Sequence, residues 1–434
     1  MNEAAAVAPP DVRRTPVEAR RLAGTGVLSA AMTGSGILAY AFHVVAARSL
    51  GPEAYGQIAV LWAAMFLAVV IVFRPLEQTT ARAISDRVAR HEEITSVIRT
   101  MALVYAVMVV VGAVIAVAAW SVIARSLFLG SDLLTAALVA GVAGYGIAYV
   151  VRGVCAGMRW FDGYGAILVA DAVVRLLVAA PLLLVASKAW AAAACAAAGV
   201  AGAAAPLLWC RRRISSLRED SPGSRFEVRS AVSFAAPAAV IAAADQVLVN
   251  GGPLLVVLGG GSSEAAGVVF AATMLVRVPV YIFQGVAASL LPSLTRLQAV
   301  DERRAFKRVM AQVVSLLAIA SIVIACAAAL VGPEAIRHVY GPEFAVTRVQ
   351  LGLLGVGVGA YLAAATFSQG LLALDRARPA ALIWATAASV FLVSWVALPG
   401  PALLRIAAGF ALATTGAALS LGVDVARRVR SVDG

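Results

Sequence analysis

The chain has 434 residues, 62% of them hydrophobic and 13% charged, with a formal net charge of +12. Its mean hydropathy is +0.91. A soluble domain carries about 25% charged residues and about 45–50% apolar ones, so these numbers exclude a soluble enzyme as well as a disordered chain. A polytopic membrane protein remains. The positive charge lies in clusters between apolar runs and forms no contiguous stripe, so no nucleic-acid partner is expected. Cys155, Cys195, Cys210 and Cys326 lie in or beside apolar runs and read as small buried hydrophobes.

A polar arm, 1–22, opens the chain and contains Arg13, Arg14, Arg20 and Arg21. Twelve apolar runs follow: 24–46, 57–73, 101–123, 133–155, 165–187, 190–210, 231–257, 265–291, 309–331, 349–373, 380–399 and 402–424. Each is about the 20 residues that a helix needs to cross a bilayer core. Runs five and six divide at Lys188, and runs eleven and twelve at Pro399-Gly400-Pro401. The expected fold is all-α, with twelve transmembrane helices in two six-helix lobes. The N-lobe covers 23–210 and the C-lobe 230–425, joined by an inter-lobe loop over 211–229 and followed by a tail, 426–434. With the connections numbered alternately, 27 of the 35 Lys and Arg residues fall on the side of the N-terminus and 5 on the other. This bias places both termini in the cytoplasm of a plasma-membrane protein.

The two halves share a short match. Glu53-Ala54-Tyr55-Gly56 follows the first run, and Glu264-Ala265-Ala266-Gly267 follows the seventh. An even number of spans per half gives both halves the same orientation, the parallel type of repeat found in two-lobed transporters. The glycines of Gly355-Val-Gly357-Val-Gly359 and Gly141-Val-Ala-Gly144-Tyr-Gly146 lie inside runs with no strand beside them. They read as small-residue helix packing and not as dinucleotide loops.

Several segments carry a family resemblance. Ala47-Arg48-Ser49-Leu50-Gly51-Pro52-Glu53-Ala54-Tyr55-Gly56 resembles the signature of bacterial polysaccharide and O-antigen flippases of the Wzx type. These belong to the multidrug/oligosaccharidyl-lipid/polysaccharide (MOP) exporter superfamily, which also contains the MATE transporters. Arg152-Gly153 with Gly157, Arg159, Phe161 and Tyr164 is similar to the family's link between spans four and five. Ala244-Asp245-Gln246-Val247-Leu248-Val249, Leu291-Pro292-Ser293-Leu294 and Tyr340-Gly341-Pro342-Glu343-Phe344 resemble its spans seven and eight and its turn after span nine. The resemblance implies alternating access and movement of an undecaprenyl-diphosphate-linked oligosaccharide from the inner to the outer leaflet. Membrane lipids and other polysaccharide assembly proteins are the further partners it implies.

An ionisable residue inside a span costs about 2.5–3.5 kcal/mol on insertion scales and usually faces a cavity or a partner. Arg74, with Glu77 beside Pro75 at the inner end of span two, reads either as a diphosphate ligand or as a snorkelling topology arginine. Asp171 and Arg175 are four apart in span five, where the two can pair; an unpaired Arg175 would be a second diphosphate contact. Asp245, with Gln246 and Asn250, lies in a Pro/Gly-interrupted span. It reads as an ion-coupling or gate site, or as a salt-bridge partner of Arg277 in span eight. Arg277 itself is the third candidate diphosphate ligand. His43 in span one is either a pH-sensitive group or a histidine hydrogen-bonded between helices. Arg74, Arg175 and Arg277 balance Glu77, Asp171 and Asp245, so the charge count does not choose the substrate.

No P-loop, nucleophile triad or metal motif is present, so neither catalytic activity nor a bound metal or cofactor is expected. A proton or sodium ion is the candidate coupling ion, with Asp245, Asn250, Glu77 and Asp171 as the candidate ion-coupling or gate residues. The leading expectation is a lipid-linked oligosaccharide flippase. The alternative is a proton- or sodium-coupled multidrug antiporter of the MATE type. A membrane glycan polymerase or ligase fits least, because the outer loops are short.

Overall fold

A computed structural model describes residues 16–209, 228–280, 303–374 and 376–430. The described residues form helices joined by short turns, with no strand among them. The first helix, α1 (Pro16–Ala89), is two spans in one element. A straight helix of 74 residues would measure about 110 Å at 1.5 Å per residue, several times the bilayer core. It bends at Gly51, whose φ of 71° and ψ of 172° suit a residue without a Cβ. Pro52 follows and opens the second arm, where its missing N–H is tolerated. The arms fold back on each other: Phe42 stacks on Trp62 at 6.1 Å, and the His43 and Trp62 ring centroids are 4.5 Å apart.

Four more helices follow in the first half before its last: α2 (Thr95–Ala118), the short α3 (Trp120–Phe128), α4 (Asp132–Gly157) and α5 (Phe161–Ala179). A 3-10 turn leads from α5 to α6 (Lys188–Trp209). The second half contains α7 (Val228–Leu258), α8 (Ser263–Val276), α9 (Arg303–Leu330), the short α10 (Gly332–Tyr340), α11 (Arg348–Ala373), α12 (Ala377–Ala397) and α13 (Ala402–Arg430). Each half therefore places a nine-residue helix, α3 or α10, after its third span. A bend of 63° separates α9 from α10.

Nine of the described helices are long and apolar enough to cross a membrane, and α1 supplies two crossings because of its bend. The bent α9–α10 pair adds one more crossing, which makes eleven among the described residues; α8 is a shorter apolar helix of 14 residues, and the rest of the expected eighth run, 281–291, lies outside the described residues. That eighth span is interrupted. Its helix ends at Arg277, two residues before Pro279, whose ring excludes a straight continuation. The expected inter-lobe loop falls almost wholly in 210–227, and Leu291-Pro292-Ser293-Leu294 in 281–302; both lie outside the described residues.

Helices α1–α6 pack among themselves, as do α7–α13. Small residues let their backbones approach. A Cβ on Gly153 or Gly157 of α4 would lie 2.8 or 2.7 Å from a backbone oxygen of the second arm of α1. Gly355 and Gly359 of α11 meet α9 in the same way, and Gly357 meets Phe410 of α13. The outward face of α2 exposes Val110, Val114 and Val117, an apolar surface that suits acyl chains and not water. Between the halves, α1 carries most of the contact, packing on α7, α8 and α10; α3 adds a smaller one with α7.

Candidate functional site: a polar cavity between the halves

A cavity of about 310 Å³ lies between the two halves. The first arm of α1 contributes Ser35 and Gly36, the second arm Trp62 and Phe66, and α5 supplies Asp171 and Arg175. From the other half come Asp245, Gln246 and Asn250 of α7, Arg277 at the end of α8, Tyr361 of α11 and Phe410 of α13. Six residues singled out from the sequence thus face one space: Asp171, Arg175, Asp245, Gln246, Asn250 and Arg277.

On the N-terminal side, Arg175 Nη2 donates to Asp171 Oδ1 and to the Tyr145 hydroxyl, each at 2.5 Å. The Tyr145 hydroxyl in turn donates to Asp171 Oδ1 at 2.7 Å. The Arg175 guanidinium also lies 4.7 Å from the Trp62 ring centroid, and its side chain is only 2% exposed. The i,i+4 pair that the spacing allowed is therefore formed.

On the C-terminal side, Asp245 and Arg277 form no salt bridge. Pro279 ends α8 at Arg277, whose Nη1 donates to the Val249 carbonyl at 2.9 Å and to Asn250 Oδ1 at 3.3 Å. Asp245 accepts from the Tyr361 hydroxyl at 2.5 Å and from Gln246 Nε2 at 3.1 Å. Asn250 Nδ2 donates to Gln246 Oε1 at 2.7 Å. Two amides in series, Gln246 and Asn250, thus join the aspartate to the arginine.

Each half brings one aspartate, one arginine and one tyrosine to this site. Tyr145 and Tyr361 were not singled out from the sequence, although a signal for them exists. They stand at the same position in helices of 26 residues each. Each also ends a Gly-Val-x-x-Tyr run, Gly141 to Tyr145 and Gly357 to Tyr361.

Arg74 and Glu77 lie outside the cavity lining, in a second polar cluster. Glu77 Oε1 accepts from the Tyr164 hydroxyl at 2.8 Å and lies 3.4 Å from Arg152 Nε. Arg152 donates to the Tyr164 hydroxyl, and its guanidinium lies over the Tyr149 and Tyr164 rings at 4.4 and 4.9 Å. Arg152 belongs to a family motif, but its bridge to Glu77 depends on how α1 and α4 pack. Arg74 is half-buried and makes no hydrogen bond or ion pair among the described residues. It lies within electrostatic range of Glu77, Arg152 and, from the other half, Asp245. His43 is fully buried, with Nδ1 3.4 Å from the Tyr55 hydroxyl and its ring against Trp62 and Phe270.

Beyond His43, the bent end of α1 holds the halves together. Arg48 Nε donates to the Val339 carbonyl at 2.8 Å, and Nη2 donates to that of His338, capping the last turn of α10. Tyr55 packs edge-on to Phe344 at 6.0 Å, and Tyr340 lies 6.4 Å from Tyr55. The two glycines of the internal match face each other. A Cβ on Gly267 would lie 2.3 Å from the Pro52 carbonyl oxygen and 3.1 Å from the Gly56 Cα.

Solved structures share this architecture. An inward-facing multidrug resistance MATE family transporter of the MOP superfamily superposes with a TM-score of 0.75 at 13% identity, covering 92% of this chain and 95% of its own. An outward-facing MATE family transporter gives 0.67 at 13% identity, covering 95% and 97%. The Vibrio cholerae MATE transporter VcmN in its bent form gives 0.63 at 14% identity, covering 95% and 98%. The chain thus shares its fold with these MATE transporters. Two uncharacterized proteins of Mycobacterium tuberculosis, one from strain CDC 1551 / Oshkosh and one, Rv1510, from strain ATCC 25618 / H37Rv, are each 34% identical over 143 residues. That match spans 32% of this chain and 32% of each relative. The model of the family described as "Polysaccharide biosynthesis protein" matches residues 21–298, so this multi-pass membrane protein belongs to that family.

Proposed function

We propose that this chain is a flippase that carries a lipid-linked oligosaccharide across the plasma membrane by alternating access. The observation that carries the reading is the convergence of embedded polar residues from both halves on one cavity. Such residues are expensive in a membrane unless they line a pathway. The lining offers hydrogen-bond donors and acceptors to a large polar headgroup, and the exposed apolar helix faces suit a lipid tail that stays in the bilayer. The positive-inside bias orients both termini to the cytoplasm, so the bent end of α1 faces outward. The substrate class, an undecaprenyl-diphosphate-linked glycan, rests on the family. No ATP-binding motif occurs in the sequence, so an ion gradient, the membrane potential or consumption of the product would drive transport.

Proteoliposomes loaded with a fluorescent polyprenyl-diphosphate-linked oligosaccharide provide the test. The wild-type chain should expose the sugar to an impermeant quencher faster than empty vesicles do. Arg74→Gln combined with Arg277→Gln should return the rate to background; an unchanged rate would remove both arginines from the mechanism.

The MATE neighbours favour a second reading, a proton- or sodium-coupled drug antiporter in which Asp245 or Asp171 carries the coupling ion. It requires drug efflux driven by an imposed ion gradient, with no movement of the glycolipid.

A further inference from the structure

Resting on the flippase reading, we infer that the substrate headgroup is recognised at two separate places: its sugars in the central cavity, and its diphosphate at Arg74.

The cavity is a poor diphosphate site. Its two arginines and two aspartates cancel in charge. Arg175 is paired through Nη2 with Asp171 and Tyr145, and although its buried Nε has no partner, the side chain is shielded by Trp62 and only 2% exposed. Arg277 is tethered through Nη1 to the Val249 carbonyl and to Asn250. A dianion entering this space would give up its water and meet carboxylates as often as guanidinium groups, a desolvation cost with little return.

The same lining suits sugar hydroxyls. Asp245, Gln246 and Asn250 present acceptors and donors side by side, and Tyr361 adds a hydroxyl. Trp62 and Phe66, with ring centroids 4.4 Å apart, give an aromatic wall for the apolar face of a pyranose ring. A neutral, hydroxyl-rich ligand needs these features and no net charge.

Arg74 differs in kind. Beside it, Arg152 is bonded to Glu77 and held over Tyr149 and Tyr164. That cluster neutralises its own second arginine and leaves the Arg74 guanidinium without a hydrogen-bond partner among the described residues. A planar guanidinium in this state is ready for the bidentate pairing that phosphate oxygens accept. Arg74 comes eight residues after Phe66 on the same arm, about 12 Å along a helix. A diphosphate there leaves room for sugar between it and the aromatic wall, with the isoprenoid at the opposite end of the diphosphate.

Binding of two probes to the purified full-length chain in lipid nanodiscs separates the two places. One probe is a long-chain polyprenyl diphosphate without sugar, and the other is the same lipid bearing a neutral oligosaccharide. The wild type should bind both, the sugar-bearing lipid more tightly. Arg74→Gln should weaken both by about tenfold or more, the loss of a charge-assisted pair. Tyr361→Phe and Gln246→Ala should weaken only the sugar-bearing lipid, erasing its advantage. Arg74→Gln sparing the sugar-free lipid, or the cavity variants weakening both lipids equally, would overturn the division while leaving the flippase reading intact. A wild-type chain that binds neither lipid would overturn the flippase reading itself and the division with it.

Discussion

Replacing Gly56 by alanine adds one methyl group at the closest approach of the two halves. The new Cβ would stand 1.7 Å from the Ser263 carbonyl oxygen, 2.5 Å from its carbon and 3.1 Å from the Gly267 nitrogen. Carbon–heavy-atom contacts are comfortable near about 3.5 Å, so the shortfall is about 2 Å. A Cβ has no rotamer to escape through, and all three opposing atoms belong to the backbone of α8 or its cap. The bent end of α1 must therefore move away from α8. Overpacking of this kind costs about 1–3 kcal/mol, and about 2 kcal/mol shifts a two-state closed-to-open ratio by roughly thirtyfold. Helix propensity works the other way, since alanine is favoured over glycine by about 1 kcal/mol within a helix. A loss of closure thus isolates the contact.

Spin labels at Arg125→Cys on α3 and Arg337→Cys on α10 would report the separation, in a background lacking the four native cysteines. Both sites are exposed, and they sit on opposite halves. Gly56→Ala should lengthen or broaden the distance distribution. Gly34→Ala, on the same helix with nothing within 4 Å of its added Cβ, should leave it unchanged. Identical distributions for Gly56→Ala and the wild type would refute the reasoning.

Arg48→Gln removes attraction instead of adding overlap, so the same labels should show a smaller opening; a full-sized one would mean that Arg48 alone holds the end shut. Tyr145→Phe deletes the hydroxyl shared by Asp171 and Arg175 and should cost about 1–3 kcal/mol, read as a lower thermal midpoint in detergent. Glu77→Gln strips the counter-charge from Arg152 and should cost about 3–5 kcal/mol, measured by chemical denaturation, with Glu77→Asp milder. Gly157→Leu drives a side chain into the Ala81 carbonyl 2.7 Å from its Cβ and should abolish monodisperse protein; Gly112→Leu, with nothing within 4 Å, should not.

Much of this was legible in the sequence because the bilayer enforces it. Apolar length marks the spans, and four of the ionisable residues inside them, Asp171, Arg175, Asp245 and Arg277, mark the cavity, since a membrane interior tolerates few of them without cause; Arg74 and Glu77 mark a second polar cluster instead. Asp171 and Arg175 lie on one helix, so their pairing followed from helical spacing. Partnerships across helices did not follow. Asp245 and Arg277 sit in consecutive spans with opposite charges, which suggests a salt bridge. The break before Pro279 instead makes Arg277 the cap of α8 and turns it to a carbonyl of α7. Tyr145 and Tyr361 looked like apolar bulk, because a hydroxyl shows its role only when the packing supplies an acceptor. The family motifs were visible as strings, whereas the contact of Tyr55 with Tyr340 and Phe344, which joins two of them, required the fold.

The bent helix α1 also bears on how the molecule is built. Synthesis runs from the N-terminus, and domains tend to form in that order. The element that carries most of the contact between the halves ends at Ala89, so the ribosome completes it before any helix of the second half exists. Helices α7, α8 and α10 therefore emerge beside a docking surface already seated on α4, α5 and α6. Assembly of the second half becomes templated addition onto a finished edge, and an error at Gly51 would be inherited by every helix that follows.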